Sequence, residues 1–164
     1  MTFNESIKNL PDAALSMGSV SIKPITTEAQ MVCALYDLAL TDEQKDFVNP
    51  TWFSVGRAYL NPNDNCPCLI YNEGSTPIGF MNLLKWTWRN AEMSWSFFID
   101  KAFQGRGYGR QAAMLAIRIL RSVEPDTPIK LSAEADNQSA HRLYLSLGFR
   151  LSDEKDGDDL VFVL

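Results

Sequence analysis

The chain has 164 residues, of which 46% are hydrophobic and 21% are charged, and its formal net charge is -5. A chain of this length and composition fits one globular domain built around a single core. The negative charge argues against a nucleic-acid partner, and the lack of a long apolar run or a leader-like N-terminus predicts a cytoplasmic protein with no membrane partner.

The first third of the chain is predicted to contain one strand and several helical stretches. Residues 1–18 are polar and weakly patterned, which is typical of an extension or a short capping helix ahead of the domain. Apolar and polar residues alternate from Val20 to Ile25, as in a strand. Three helical stretches are expected next, over about residues 26–38, 41–48 and 54–60.

The remainder of the chain alternates strands and helices. Residues 68–71 and 78–84 predict a β-hairpin, and residues 92–99 a further strand. The later elements are a helix at 110–122, a strand at 129–133, a helix at 139–147 and a hairpin joining 149–151 to 160–163. This order predicts an α+β fold, with a mixed, mostly antiparallel central sheet flanked by helices, in a single domain over residues 19–164.

The turn Gln104–Arg110 is the most informative segment, because it joins a predicted strand to a predicted helix. A helix start leaves backbone N–H groups unbonded at the positive end of the helix dipole, so this arrangement makes an anion site. Glycines at 105, 107 and 109 permit unusual dihedral angles and let a phosphate approach closely. Arg106 and Arg110 add positive charge. The alternative is a helix start that needs glycine only for its shape.

Other ligand motifs do not match this chain. A dinucleotide fingerprint needs a third glycine three residues after Gly107, where the chain has Arg110. A nucleoside-triphosphate loop would end in Gly-Lys-Ser or Gly-Lys-Thr, which is absent. Cys33, Cys66 and Cys68 form neither a disulfide framework nor a zinc motif, so we expect no metal.

A second cluster follows the predicted strand 129–133. Asn137 and Tyr144 are seven residues apart, which is two helical turns, so both side chains project along one face. Each has a plain structural alternative, because Asn137 could be a helix N-cap and Tyr144 an aromatic packed under the sheet. Leu147-Gly148-Phe149 closes this helix.

The two clusters together resemble the GNAT superfamily of N-acetyltransferases. Gln104, Gly107 and Gly109 meet its Gln/Arg-x-x-Gly-x-Gly/Ala signature, and the second cluster meets its Asn…Tyr…Leu-Gly-Phe pattern. The resemblance covers about residues 19–164. Segments 42–48, 78–80 and 95–100 look like those of bacterial diamine or spermine/spermidine acetyltransferases.

The resemblance implies that acetyl-CoA is the co-substrate and a small primary amine the acceptor. The pyrophosphate would lie on the amides of residues 105–110, and the pantetheine arm between the fourth strand, 92–99, and the fifth, 129–133, which would splay apart. The family pattern, carried over, gives the following coenzyme-binding residues: Phe97, Phe98, Ile99, Gln104, Gly105, Arg106, Gly107, Tyr108, Gly109, Arg110, Asn137 and Tyr144. A homodimer is expected by analogy only.

Direct attack by an amine needs a neutral nucleophile, a stabilised oxyanion and a proton donor for the leaving thiolate. An amine with a pKa of about 10.4 is neutral in about one molecule per 10³ at pH 7.4, which costs about 4 kcal/mol. The resemblance makes Tyr144 the general acid. With a tyrosine pKa of about 10, donation to a thiolate would be uphill by about 2 kcal/mol, so a tightening hydrogen bond is sufficient. A backbone N–H near Phe98 is the expected oxyanion donor.

The general base has no direct match in the family pattern. Some polyamine acetyltransferases have a glutamate two residues before the Phe97-Phe98 pair, where this chain has Trp95. Glu92 is the nearest acid on that strand and is therefore the candidate catalytic base, with a solvated surface charge as its alternative.

Polyamines or diamines are the favoured acceptors. Aromatic rings attract ammonium groups and carboxylates could hold a distal charge, and the candidates are Trp52, Trp86, Trp88, Trp95, Phe47, Tyr59, Asp42, Glu43 and Asp46. Core packing is the alternative, and for any single aromatic it is the favoured interpretation. Two other functions remain: the same chemistry on an aminoglycoside, an amino acid or a protein N-terminus, or a non-catalytic acyl-CoA-binding module.

Overall fold

The computed structural model describes residues 1–164 as two antiparallel β-sheets with helices packed on them. The strands are β1 Ser16–Met17, β2 Val20–Pro24, β3 Asn65–Asn72, β4 Pro77–Trp86, β5 Glu92–Ile99, β6 Lys130–Ala133, β7 Arg150–Asp156 and β8 Asp159–Val163. The α-helices are α1 Phe3–Lys8, α2 Glu28–Val32, α3 Thr51–Leu60, α4 Tyr108–Val123 and α5 Gln138–Ser146. No helix is both long enough and apolar enough to cross a bilayer.

The two sheets meet at one point and then diverge. The first has the strand order β1-β2-β3-β4-β5 and the second β6-β8-β7. A parallel bridge links Met93 to Ile129, where the Met93 N–H donates to the Pro128 carbonyl at 2.8 Å. Beyond this bridge, β5 and β6 share no ladder, so the strands splay. The predicted α+β fold, with a splay between these two strands, is confirmed.

The main core lies between the first sheet and α4. Side chains alternate along a strand, so Met93 and Trp95 of β5 face this core, whereas Ser94 and Ser96 face the opposite side of the sheet. The buried positions of α4 recur every three or four residues, as an amphipathic helix requires: Tyr108, Ala112, Ala113, Leu115, Ala116, Ile119 and Leu120. On the opposite side, Phe98 joins a smaller buried cluster with Ala34, Leu69 and Phe80.

Residues 1–18 pack directly on this core. Thr2 and Glu5 form a capping box at the start of α1, and the side chains of Phe3 and Ile7 are 5% and 0% exposed in the same cluster as α4. Burying one such side chain contributes about 1.5–3 kcal/mol. The short helix expected in this segment is therefore present, and its removal would open one end of the core.

The predicted helix at 41–48 is wrong. Only Lys45–Phe47 forms a helical turn, of the 3-10 type, and α2 continues beyond Val32 as a single π turn. The cause is tertiary: the Ala39 N–H donates to the Asp100 carboxylate at 2.8 Å, and the Ala39 carbonyl accepts from the Lys101 N–H at 2.8 Å. These bonds hold the chain extended against the end of β5.

Candidate active site

A cleft of about 1410 Å³ runs through the splay. Its walls are β5, β6, the start of α5, the turn before α4 and the loop from Leu40 to Pro50. Pockets for one small ligand usually measure about 300–1,000 Å³. This cleft therefore has room for a long coenzyme arm and an acceptor together.

The turn before α4 presents the unbonded N–H groups that the sequence predicts. None of the backbone N–H groups of residues 105–110 donates a hydrogen bond, and the first that does is Gln111, to the Gly107 carbonyl at 3.2 Å. Gly105 and Gly107 have φ values of 74° and 81°, and a Cβ on either would meet no atom within 4 Å. Glycine is thus needed for the left-handed backbone and for the open space before the turn. Six free N–H groups at the start of a 16-residue helix form an anion site.

The charged side chains of this turn lie at its rim. Arg106 and Arg110 are exposed and do not line the cleft. Tyr108 is buried, and its hydroxyl lies 3.1 Å from the carboxylate of Glu73 in the turn between β3 and β4. The backbone, more than the side chains, therefore provides the anion site.

Gln104, the first residue of the motif, joins the turn to two other segments. Its Nε2 donates to the Ile99 carbonyl at 2.9 Å and to Gln44 Oε1 at 2.8 Å, and Gln44 Nε2 donates back to Gln104 Oε1 at 3.0 Å. Gln104 is therefore a positioning residue that fixes the turn against β5 and the 40–50 loop.

Alternate residues of β5 direct their backbone groups into the splay. The Asp100 N–H donates to the Ile78 carbonyl at 2.7 Å, and antiparallel alternation then directs the N–H of Phe98 to β4. The N–H and C=O groups of Phe97 and Ile99 consequently point toward β6. The oxyanion donor expected near Phe98 is thus the N–H of Phe97 or Ile99, rather than that of Phe98.

Tyr144 lies on α5 and lines the cleft. Its ring packs against Phe149 and Phe162, with centroids 5.8 Å and 5.4 Å away, so Tyr144 has the packing role that the sequence left open. Its hydroxyl has no hydrogen-bond partner in the protein, and burial raises the pKa of Tyr144 to about 12. The side chain is therefore a protonated, free donor beside the splay.

Asn137 also lines the cleft, one turn beyond β6. Its Oδ1 accepts from the Ala140 N–H at 3.2 Å, which makes it the N-cap of α5. The capping alternative is correct, and it leaves the amide nitrogen of Asn137 available to the cleft.

Glu92 lines the cleft but is ion-paired. Its side chain lies 3.0 Å from the Lys130 ammonium, which also contacts Glu154 at 2.9 Å. Phe98 lies six residue steps along the strand from Glu92, a span of about 20 Å. A carboxylate that is ion-paired and that far along the strand from Phe98 is poorly placed to take a proton from the reacting amine. The structure therefore disfavours Glu92 as the direct base.

The aromatic and acidic acceptor candidates separate into two groups. Trp86, Phe47 and Asp46 line the cleft. Trp95 also lines the cleft, but it is only 6% exposed and packs in the core against Phe149. The others lie outside the cleft, and they are Trp52, Trp88, Tyr59, Asp42 and Glu43.

Two cleft residues carry no signal in the sequence. Gln44 lies in the segment predicted as a helix, and Arg57 is one of the polar residues of α3. The Arg57 guanidinium stacks on Trp86, with its carbon 4.8 Å from the ring centroid. The contacts of Gln44 with Gln104 and of Arg57 with Trp86 both join residues that are far apart in the sequence, so no local pattern could reveal them.

Comparison with known proteins gives the family. The protein-family model described as "Acetyltransferase (GNAT) family" matches residues 32–149 of the chain. The chain belongs to the GNAT family of acetyltransferases. As a member, it is an acetyl-CoA-dependent N-acetyltransferase, and the suspected resemblance is confirmed.

The proteins similar to this GNAT enzyme have names that point to different acceptors. It is 28% identical over 153 residues to a protein named "Probable spermine N(1)-acetyltransferase" from Bacillus subtilis subsp. natto (strain BEST195), covering 84% of this chain and 92% of that one. An acetyltransferase structure from Agrobacterium tumefaciens str. C58 superimposes with a TM-score of 0.72 at 16% identity, over 92% of each chain. RimL, a ribosomal L7/L12 alpha-N-protein acetyltransferase in complex with coenzyme A, gives 0.67 at 16% identity, over 92% of this chain and 95% of that one.

Proposed function

We propose that this enzyme transfers the acetyl group of acetyl-CoA to a primary amine of a small molecule, with polyamines and diamines as preferred acceptors. The observation that carries the proposal is the convergence of two features on one cleft. These are the turn 105–110 with its unbonded N–H groups, of which Gly105, Tyr108 and Gly109 line the cleft, and the free hydroxyl of Tyr144. The spermine acetyltransferase relative supports the acceptor class.

The residues present fit a diphosphate that continues into an amide-bearing arm. The N–H groups of residues 105–110 would donate to phosphate oxygens, and Arg106 and Arg110 would add positive charge at the rim. The backbone groups of Phe97 and the N–H of Ile99 would pair with the arm as an added strand pairs with a sheet edge, while the Ile99 carbonyl accepts from Gln104. When bound, acetyl-CoA supplies an acetyl group activated as a thioester.

The chain's own groups act on the carbonyl oxygen and on the sulfur. The N–H of Phe97 or Ile99 stabilises negative charge that develops on the oxygen. The Tyr144 hydroxyl donates to the leaving sulfur. Because its pKa is about 12 and that of a thiol is about 8.5, complete proton transfer would be uphill by about 5 kcal/mol, so the effect is a hydrogen bond that strengthens as charge grows. No cysteine lines the cleft, which favours direct attack by the amine.

The amine must reach the carbonyl without its proton. Glu92 is held by Lys130, so we propose that water in the cleft, and not this carboxylate directly, takes the proton. Asp46, which lines the opposite wall in the 40–50 loop, is our candidate for the distal ammonium of a diamine.

An amine panel with a thiol-release assay tests the proposal. Spermine, spermidine, putrescine and cadaverine are expected to release thiol faster than an aminoglycoside, an amino-terminal peptide or an amino acid, with calorimetry reporting acetyl-CoA binding in parallel. Binding without thiol release on any amine would favour the non-catalytic module. Release confined to the peptide would assign a protein acceptor instead.

A further inference from the structure

The cleft contains one half-buried cation without a partner. Three half-buried basic side chains line it: Arg57, Arg89 and Lys130. Arg89 pairs with Asp156 at 3.1 Å, and Lys130 with Glu92 at 3.0 Å. The Arg57 guanidinium forms no salt bridge and donates no hydrogen bond within the protein.

Arg57 is nevertheless held in a defined orientation. Its guanidinium carbon lies 4.9 Å from the ring centroid of Phe53, one turn earlier on α3, and 4.8 Å from that of Trp86 on β4. Such stacking orients the planar group and leaves its edge N–H groups free to donate. The aromatic contacts therefore fix the side chain without satisfying its five donors.

No carboxylate pairs with Arg57, and the neighbouring charge that acts on it is positive. Burial lowers the pKa of Arg57, and the neighbouring positive charge of Arg89 lowers it further. Arg89 stacks on the same Trp86 ring, at 5.4 Å. A partly desolvated, unpaired guanidinium costs free energy that an anionic ligand would recover.

We propose that Arg57 binds a carboxylate of the acceptor, so that the enzyme also acetylates small molecules carrying both a primary amine and a carboxylate, as amino acids with amine side chains do. The planar guanidinium matches a carboxylate through two parallel N–H···O bonds. The inference rests on the proposed function, because the amine must still reach the acetyl group beside Tyr144. The nitrogen bonds to the acetyl carbon, the carbon–sulfur bond breaks and one amine proton passes to water. The sulfur leaves as a thiolate hydrogen-bonded to Tyr144 and takes a proton from water to become the thiol. The carboxylate does not react.

Matched acceptors isolate the carboxylate in the test. L-lysine differs from cadaverine, and L-ornithine from putrescine, only by a carboxylate. We would measure kcat/KM for all four by thiol release with wild type, Arg57→Met, Arg57→Lys and the control Arg142→Met. Arg142 is exposed on α5, lies outside the cleft and makes no ion pair, so its substitution removes the same charge elsewhere. Acetyl-CoA binding by each variant confirms that it is folded.

Wild type is expected to acetylate both members of each pair. Losing hydrogen bonds to a charged group should lower kcat/KM for lysine and ornithine by about 10- to 100-fold in Arg57→Met, with little change for the diamines. Arg142→Met should change all four by about twofold or less. Arg57→Lys keeps the charge but loses the planar fork, so it should reduce only the amino-acid activities, by a smaller factor.

Two outcomes would overturn the inference while leaving the proposed function intact. One is acetylation of cadaverine and putrescine with none of lysine or ornithine. The other is an equal loss for diamines and amino acids in the folded Arg57 variants. Should Arg57→Met fail to fold, Arg57→Lys supplies the same comparison. Absence of thiol release from every amine would instead contradict the proposed function itself.

Discussion

Replacing Tyr144 by Phe tests the general-acid role with the smallest change, the loss of one hydroxyl. The ring contacts with Phe149 and Phe162 remain, and the hydroxyl has no partner to leave unsatisfied. Folding stability should therefore change by less than about 1 kcal/mol. Any large loss of activity would then reflect the reaction rather than the fold.

The expected magnitude follows from the bond that is removed. A hydrogen bond to a charged group contributes about 1.5–3 kcal/mol, so kcat should fall by about 10- to 150-fold. Because the pKa of Tyr144 is about 12, the wild-type hydroxyl stays protonated from pH 7 to 10, and the factor should be constant over that range. The dissociation constant of acetyl-CoA should be nearly unchanged, since the donor acts on charge that develops during the reaction.

The assay is thiol release at saturating acetyl-CoA with the best amine, recorded from pH 7 to 10, with calorimetry for coenzyme affinity. Tyr36→Phe is the control, because Tyr36 is 80% exposed and lies outside the cleft. Equal kcat for wild type and Tyr144→Phe at every pH would refute the acid role. If wild type and Tyr144→Phe differed below pH 9 but had equal kcat above it, the hydroxyl would lose its proton within this range. That result would contradict a donor that stays protonated up to pH 10.

Three further substitutions test the coenzyme turn, the base and an ion pair. Gly107→Val places a branched side chain at a φ of 81°, at a strain of about 1–3 kcal/mol, and in the space before the free N–H groups. Calorimetry should show acetyl-CoA affinity falling at least about 10-fold, and intact affinity would count against the turn as the diphosphate site. Glu92→Gln leaves Lys130 paired with Glu154, so turnover should stay within about threefold of wild type. A decrease in turnover of about 10²-fold, accompanied by disappearance of the acidic limb of the pH profile, would instead identify Glu92 as the base. Hydrogen bonding from Arg89 lowers the pKa of Asp156, so the pair stabilises the fold at neutral pH and ceases to do so as the pH falls below about 3.9. Asp156→Asn should accordingly lower Tm at pH 7 but not at pH 2, and an equal decrease at both would contradict this account.

The coenzyme turn and the tyrosine helix could be predicted because their chemistry is local. A helix that starts after glycines leaves its first N–H groups unbonded wherever it packs, and the structure shows those of residues 105–110 free. The seven-residue spacing of Asn137 and Tyr144 likewise sets their shared face before any tertiary contact forms. Both residues line the cleft, although their roles toward the coenzyme and the thiolate remain proposals.

The 40–50 loop shows where local pattern was insufficient. Residues 41–48 have a helical composition, yet Gln44 bonds to Gln104, which is 60 residues away. Ala39 is fixed by Asp100 at a similar separation. Helix propensity differs between residues by less than about 1 kcal/mol, so two or three tertiary hydrogen bonds suffice to override it.

The chain's order of strands, its glycine turn and its helical spacings thus determined the fold class and the family, and the glycine turn predicted an anion site. Each of these patterns is set by neighbours within a few residues. Only the tertiary structure decided that Trp95 faces the core, that Lys130 forms an ion pair with Glu92, and that Arg57 stacks on Trp86 without an ion-pair partner. These facts depend on which strand face meets α4 and on which distant charges meet across the splay. Alternation along a strand reveals that two faces exist, but the packing of the whole chain selects which of them faces the core and which lines the cleft.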